Sequence, residues 1–512
     1  MQRKLPPSFY NITTLIGVVI AAVSAGLIAF LLLLSRFADA ENPYVGIIAF
    51  IFLPALMFFG LAVGAFGVWR EHRRYRLGKT ARLLPVVDLN NPRHQAAVVL
   101  VSVGTILLLV ASAFGSFRAY EATDSDNFCG KMCHVVMQPE FTAYSNSPHA
   151  RVGCAKCHIG PGAGWFVRSK LSGAYQLYAV AFHKYEHPIK TPVHNLRPAQ
   201  QTCEQCHWPR QFFSEKRVSH TYYLSDVNNT KWSLDLLVRI GGGNSEAGPT
   251  SGIHWHMNIN NKVTYVPADS ARQNIPWVRA ERPDGSFVIY KSAESPLTDA
   301  QIASRVPRRM DCIDCHNRPT HIYYPPARSV DELMGVGRID PALPSAKNLS
   351  VYVLDQAYPS QAVAADSIKS IVTRYYTTNY PALATAKQKE IAQMVAQLQV
   401  VRSRNYFPAM DVSWKAYPDN IGHMYFLGCF RCHDGKHVTS TGQVLTNDCN
   451  TCHVILAQKQ APGVGQMDLQ GAKFLHPTNV GTAWSQNTCS DCHNPKAGSK
   501  PLVAPVTASS LR

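Results

Sequence analysis

Residues 119–170 read AYEATDSDNFCGKMCHVVMQPEFTAYSNSPHARVGCAKCHIGPGAGWFVRSK. Two cysteine pairs stand here, each followed at once by a histidine: Cys129 and Cys133 with His134, then Cys154 and Cys157 with His158. The stretch begins where the third long apolar segment of the chain stops. The same pattern continues downstream at Cys203, Cys206 and His207; Cys312, Cys315 and His316; Cys429, Cys432 and His433; Cys449, Cys452 and His453; and Cys489, Cys492 and His493. All 14 cysteines of the 512 residues fall into these seven pairs. Six pairs are C-x-x-C-H, the attachment signature of c-type haem; the first is C-x-x-x-C-H.

The spacing has a geometric reason. Two thiols bond the two vinyl groups of one porphyrin, and the adjacent imidazole reaches the iron. On a helical turn, positions i, i+3 and i+4 share a face, so the three groups meet one ligand. Zinc sites, disulfides and redox C-x-x-C pairs do not require a histidine at that place. With 20 histidines in the chain, seven successive matches by chance have odds of about 1 in 10^10. The sequence therefore implies seven covalently bound haems. Thioether attachment takes place in the bacterial periplasm or its equivalent.

The formal charge is +17. A basic balance suggests nucleic acid or acidic lipid as partner, but two propionates on each haem offset much of it, and nucleic acid is not expected.

Three apolar runs precede the haem motifs, at 12–34, 45–68 and 96–117, each about 22–24 residues and suited to a bilayer core. Arg3 and Lys4 precede the first run. The loop after the second holds Arg70, Arg73, Arg74, Arg76, Lys79, Arg82 and Arg93, whereas the loop after the first holds only Arg36, with Asp39 and Glu41. The positive-inside rule places the N-terminus and the second loop in the cytoplasm. Residue 118 onward then emerges outside the inner membrane, where haem attachment requires it. Ala38-Asp39-Ala40 has the form of a cleavage site, but the run before it is long for a signal peptide, so residues 1–40 are expected to be retained. His72 and His94 lie in the cytoplasmic loop, away from any external haem. The Gly60, Gly64 and Gly67 series permits close helix packing, a weak pointer to a homo- or hetero-oligomer through the membrane helices.

The expected fold is mainly α. A three-helix membrane anchor (1–117) precedes a periplasmic multihaem domain with little regular structure and a small β-rich insertion. Residues 118–215 hold haem sites 1–3. Residues 216–305 lack cysteine and are rich in strand formers, and residues 306–512 hold sites 4–7. Such a chain is expected to wrap cofactors rather than build a large ordinary core. A helix is predicted near 384–404, with Ile391, Met394, Val395, Leu398 and Val401 packing on one side. The tail after Lys496 is expected to lack ordered structure.

Each iron needs a sixth ligand or an open position. Eleven external histidines lie outside the motifs, more than seven irons need. Electron-carrying haems have two strong axial ligands, so the surplus argues for electron transfer rather than bond-making. His149, His321, His423, His437 and His476, near motifs or in apolar surroundings, are expected ligands. His187, His194, and His254 or His256, which flank Trp255, are further candidates; His183 and His220 rank behind them.

The first motif departs from the rest. On a continuous helix His134 would point about 140° away from Cys129, where the ordinary histidine lies within about 40° of the first cysteine. Either the backbone loops out, or His134 misses the axial position. Met137, about 40° from Cys133 on the same wheel, is the alternative ligand, and methionine ligation raises the potential.

The residues CHVVMQPEFTAYSNSPHARVGCAKCHIG, the Trp165–Lys170 segment and RPAQQTCEQCHWP resemble the NapC/NirT/NrfH family of membrane-anchored multihaem quinol dehydrogenases. The resemblance covers residues 118–215 and extends to CIDCHNRPTH. Three spans and seven haems are more than most members have and resemble the larger ImcH type of inner-membrane cytochrome. The resemblance implies oxidation of menaquinol or a related quinol from the membrane pool, with electrons passing through the first haem to periplasmic c-type cytochromes for extracellular or anaerobic respiration. It places Lys170 near the quinol and makes Met137 the counterpart of a methionine able to ligate the first iron. The acidic residue that follows the lysine by two turns in some members is replaced here by Leu177. Tyr175, Gln176, Tyr178 or His183 is left to serve instead. Two other readings compete: a haem relay subunit without its own quinol site, and a terminal reductase with one open haem.

Overall fold

A computed structural model describes residues 6–37, 53–78, 88–132, 134–160, 162–193, 196–208, 212, 214–241, 252–257, 261–282, 284–460 and 467–494. The expected cleavage-like site at 38–40, Cys133, His194 and the tail lie outside these residues. The chain is mainly helical and forms two compact units, Met1–Ser125 with Cys154–Tyr178, and Asp126–Gly153 with Ala179–Arg512.

In the first unit, helices Ile12–Phe37, Leu53–Arg76 and Pro92–Asp124 are each long and apolar enough to cross a membrane. The second starts no earlier than Leu53 among the described residues and runs past the expected end into the basic loop. The third begins at an Asn91 cap with Pro92 in its first turn and extends seven residues beyond the expected 117. The first two spans lie backbone to backbone. A Cβ on Gly60 would meet the Ala21 amide nitrogen at 2.7 Å, and one on Gly67 would meet that of Thr14 at 2.6 Å. Asn11 Nδ2 and Thr14 Oγ1 donate across the seam to the Gly67 and Gly64 carbonyls. The glycine series thus packs the chain against itself, and that face is not open to another subunit as the sequence had suggested.

In the second unit, the strands are β1 (Glu215–Tyr223), β2 (Lys231–Arg239), β3 (Lys262–Val266), β4 (Trp277–Glu281), β5 (Phe287–Ser292), β6 (Arg308–Arg309), β7 (His437–Val438) and β8 (His453–Gln460). They form two small antiparallel sheets, ordered β1-β2-β8 and β6-β3-β4-β5-β7. The expected insertion is therefore not self-contained. Open edges of both its sheets are closed by strands that lie beside haem motifs, which satisfies their backbone groups.

The second unit also contains an ordinary hydrophobic core, contrary to expectation. Helices Pro326–Gly335, Ala346–Asp355, Gln361–Asn379, Pro381–Ala386 and Gln388–Asn405 bury Val330, Met334, Leu349, Val353, Ile368, Tyr376, Met394 and Leu398 together. Ile391, Met394, Val395, Leu398 and Val401 do form the buried side of the last helix, but they face this haem-free bundle. The β1–β2 turn docks onto it through buried Asn229. Its Nδ2 donates to the Pro341 and Leu343 carbonyls at 2.9 and 2.7 Å, and its Oδ1 accepts from the Lys347 amide at 2.8 Å.

Candidate haem-binding site

The C-x-x-C-H motifs fold as single turns. Cys154–His158, Cys312–Cys315 and Cys489–His493 are short α-helices, while Cys203–Gln205, Gly428–Arg431 and Cys449–Thr451 are 3-10 turns. The His207, His316 and His433 amides donate to the carbonyls of Cys203, Cys312 and Cys429 at 2.8, 2.8 and 3.0 Å. This wraps the histidine back over the first cysteine, as one shared ligand requires.

The second cysteines of motifs two and three, Cys157 and Cys206, were expected alike as haem attachments but differ in placement. Cys157 stays inside its helix and is half-buried. Cys206 falls just beyond its 3-10 turn and is exposed, with its amide donating to the Cys203 carbonyl at 3.1 Å. Each nevertheless stands one turn from the first cysteine of its motif, the spacing that attachment to one porphyrin needs. No disulfide joins the described cysteines. Among the described residues no three His, Cys, Asp or Glu side chains gather to hold a bare metal ion.

Histidines from outside the motifs face motif histidines. Ring centroids are 6.1 Å apart for His149 and His207, 6.0 Å for His256 and His433, 6.2 Å for His423 and His453, and 6.3 Å for His476 and His493. Two imidazoles bound in line to one metal, each through a bond of about 2.0–2.1 Å, have centroids about 6.3 Å apart. The angles between ring planes, 20° to 86°, are all compatible, since each ring turns about its own bond axis. Burial lowers the pKa of His254 against its bond to the Ile240 carbonyl, and His316 lowers it further. The residues present thus fit a c-type haem with two axial imidazoles.

The surroundings aim the rings. The Nδ1 atoms of His254, His256, His433 and His476 lie 2.7–3.1 Å from the carbonyls of Ile240, Ile253, Thr446 and Thr478. A carbonyl on Nδ1 fixes the tautomer that leaves Nε2 with its lone pair for a metal. His453 Nδ1 is buried with no partner in the polypeptide, beside the gap to His423. Burial lowers the pKa of His256, His316, His321, His423, His453 and His493. These rings are held neutral, as ligation requires.

The remaining expected ligands are placed differently. His321 has its Nδ1 against the Glu140 carbonyl and carboxylate at 3.0 and 3.1 Å, the carboxylate–imidazole arrangement that orients metal ligands. His437 does not suit ligation. It is 1% exposed, with Nδ1 2.8 Å from Asp434 Oδ1 and Nε2 2.7 Å from the Ile275 carbonyl. Burial opposes the charged ring, but these two bonds outweigh it and raise the pKa. With both nitrogens committed, His437 holds β7 in its sheet and offers no lone pair. His187 stacks on Tyr185 at 5.0 Å, with His183 6.4 Å from the same ring; His220 stands on β1 near Tyr222.

The extra residue of the first motif breaks the helix. Cys129 lies in helix Asp126–Lys131, and a new helix, His134–Ser145, starts at the motif histidine. The continuous-helix angles therefore do not apply, and the backbone turns between the first cysteine and His134. Met137 sits half-buried on the second helix. The helices are clamped together by Phe141, whose ring covers Gly130, and by the Tyr144 hydroxyl, 2.8 Å from Asp126.

Lys170 acquires partners that its sequence neighbourhood did not indicate. On helix Ala163–Ala181, its Nζ lies 3.2 Å from Asp124 Oδ1 and 3.2 Å from Thr123 Oγ1, at the end of the third membrane helix. It is also 5.0 Å from the Phe166 ring centroid. The absent acid after the lysine is thus matched by one that precedes it by 46 residues. The available signal was the polar TDSD run (123–126) directly after an apolar span. Met137 and His183, the other residues expected at the quinol, belong to the second unit.

Residues 91–201 match the NapC/NirT cytochrome c family, N-terminal region. The chain is 42% identical over 496 residues to the cytochrome c-type protein ImcH of Geobacter sulfurreducens, covering 96% of each protein. No solved structure matches it. The family's region spans the third membrane helix and the first two motifs, and the relative extends the likeness across the remaining five, so the chain belongs to the NapC/NirT cytochrome c family.

Proposed function

We propose that this inner-membrane, multihaem electron-transfer protein carries seven haems, oxidises quinol beside Lys170 and Asp124, and passes electrons to periplasmic c-type cytochromes. In this reading sites 1–3 occupy residues 118–215, sites 4–7 occupy 306–512, and 216–305 hold none. The observation that carries it is the set of facing histidine pairs at 6.0–6.3 Å. Closing both axial positions favours electron transfer over binding a small substrate, which speaks against a terminal reductase.

When bound, the haems supply a one-electron change at each iron, ferric to ferrous and back. The chain's own residues supply the rest. The histidines of the six C-x-x-C-H motifs, with His149, His254, His256, His423 and His476, would hold the irons, with His134 or Met137 at the first site; His321, His187 and His194 are further candidate ligands. Lys170 Nζ donates to a quinol oxygen, and the Asp124 carboxylate accepts a hydroxyl proton. Each quinol gives up two electrons and two protons, the protons leaving to the external side.

Full-length holoprotein mixed with a menaquinol analogue tests the proposal. Seven haems per chain, all low-spin, and rapid haem reduction are expected. Failure of reduction without a second subunit would defeat the quinol site. A high-spin ferric signal with substrate-dependent turnover would instead favour the reductase.

A further inference from the structure

Motifs three to seven contact one another in sequence order. A thioether ties each porphyrin edge to its cysteine sulfur, so sulfurs of two motifs in contact bring two macrocycles side by side. The Cys203 and Cys312 thiols lie near enough to shift each other's pKa, which brings motif three to motif four. Motif four meets motif five twice. Arg431 of motif five donates to the Asp314 carbonyl of motif four at 2.7 Å, and one 3-10 turn, Ile253–Met257, carries both His254, whose pKa His316 lowers, and His256, 6.0 Å from His433.

His423 joins the last three. It stacks at 4.5 Å on Phe430, which lies between the cysteines of motif five. It faces His453 of motif six at 6.2 Å. Its Nδ1 is 3.8 Å from Cys489 Sγ of motif seven. At the far end His493 is exposed, and Leu475, next to His476, is 65% exposed.

We propose that the last five haems stand in single file in chain order, and that electrons leave the protein from the seventh, held by Cys489, Cys492, His493 and His476, to an oxidised soluble c-type cytochrome docking over Leu475. In each transfer the iron at His493 passes from ferrous to ferric as the partner's iron passes from ferric to ferrous, with no proton or third reactant. The proposal rests on the seven-haem reading above.

The test uses full-length holoprotein, a menaquinol analogue as donor and an oxidised soluble monohaem cytochrome c as acceptor. In His476→Met one haem should change its low-spin spectrum and rise in potential. Delivery to the acceptor should slow about tenfold. Leu475→Asp should leave every haem spectrum unchanged and raise KM for the acceptor about tenfold, whereas the same change at Val306, itself 90% exposed, should do nothing. An altered seventh haem with wild-type delivery overturns the exit alone and leaves the seven-haem reading intact. No spectral change in His476→Met removes the ligand assignment and the exit with it. If His476→Met fails to assemble, an unchanged KM in Leu475→Asp overturns the proposal by itself.

Discussion

Asp124→Asn separates a chemical role for the Lys170–Asp124 pair from a structural one. The ions are 3.2 Å apart, and their side chains are 39% and 15% exposed. A pair this open to water contributes at most about 1 kcal/mol to stability, and asparagine still offers an oxygen to Lys170 Nζ. An energy of about 1 kcal/mol corresponds to about a fivefold change in any rate or equilibrium. A carboxylate that accepts the quinol proton is worth far more: losing a general base costs about 100-fold or more, or at least about 2.7 kcal/mol of barrier. The predicted result is therefore a fall of about 100-fold in kcat with an unfolding midpoint close to wild type. Lys170→Met, which removes an orienting donor, should act mainly on KM. Stopped-flow haem reduction by a menaquinol analogue gives both constants, and Asp124→Glu should recover part of the rate. A loss below about fivefold in Asp124→Asn would refute the role, because the ion pair's structural energy would then account for all of it.

Three further outcomes follow from the second unit. Lys347 Nζ and Asp331 Oδ1 are 2.6 Å apart and almost fully buried. Burial lowers the lysine pKa and raises the aspartate's despite their attraction. Lys347→Met should thus cost about 3–5 kcal/mol, while Asp331→Leu with Lys347→Met should be neutral or stabilising, as measured by denaturant unfolding of the holoprotein; a single variant of wild-type stability would contradict this. His437→Gln should keep all seven low-spin haem signals while losing about 1–3 kcal/mol of stability, and disappearance of one signal would make His437 a ligand after all. Asp235 is held below its ordinary pKa of 3.8 first by the Ser219 hydroxyl and then by Arg217. Its stabilisation is present above that value and lost as the pH falls through the lower folded pKa, so Asp235→Asn should lower stability at neutral pH and flatten acid unfolding below pH 3.8.

The parts legible in the sequence were those with local causes. Apolar length announces a membrane helix, and cysteine spacing announces a haem turn. The helix around Met394 and Leu398 was visible because its stripe recurs every turn. Its four partner helices were not foreseen. Pro326–Gly335 and Ala346–Asp355 are short, and Lys347 and Asp331, which point inward, disguise their buried faces as polar. Histidine pairing could not be read at all, because proximity along the chain is a poor guide. His437 lies four residues after a motif yet is tied up in a sheet, whereas His149 meets a motif 58 residues away. Asp124 was missed for the same reason, since the acid was sought after the lysine and not on another helix.

The spacing between motifs is fixed by residues inside the motifs themselves. Asp314 is an x residue of C-x-x-C in motif four, and Arg431 has the same place in motif five. Asp314 Oδ1 accepts from the Tyr265 hydroxyl at 2.6 Å, from Arg308 Nε at 2.9 Å and from Arg272 at 3.2 Å. Arg431 donates to the Asp314 carbonyl at 2.7 Å and to the Arg272 carbonyl at 2.9 Å. Two haem turns are thus bolted to each other and to the β3 sheet by one largely buried network. A buried carboxylate with four donors, the Asp311 amide among them, is costly to leave unpaired, so these bonds resist rearrangement. Separation is what electron transfer between neighbouring cofactors depends on most. A chain with little regular structure around its haems gains a defined separation from such bolts, and the sheets and haem-free bundle give them something rigid to hold.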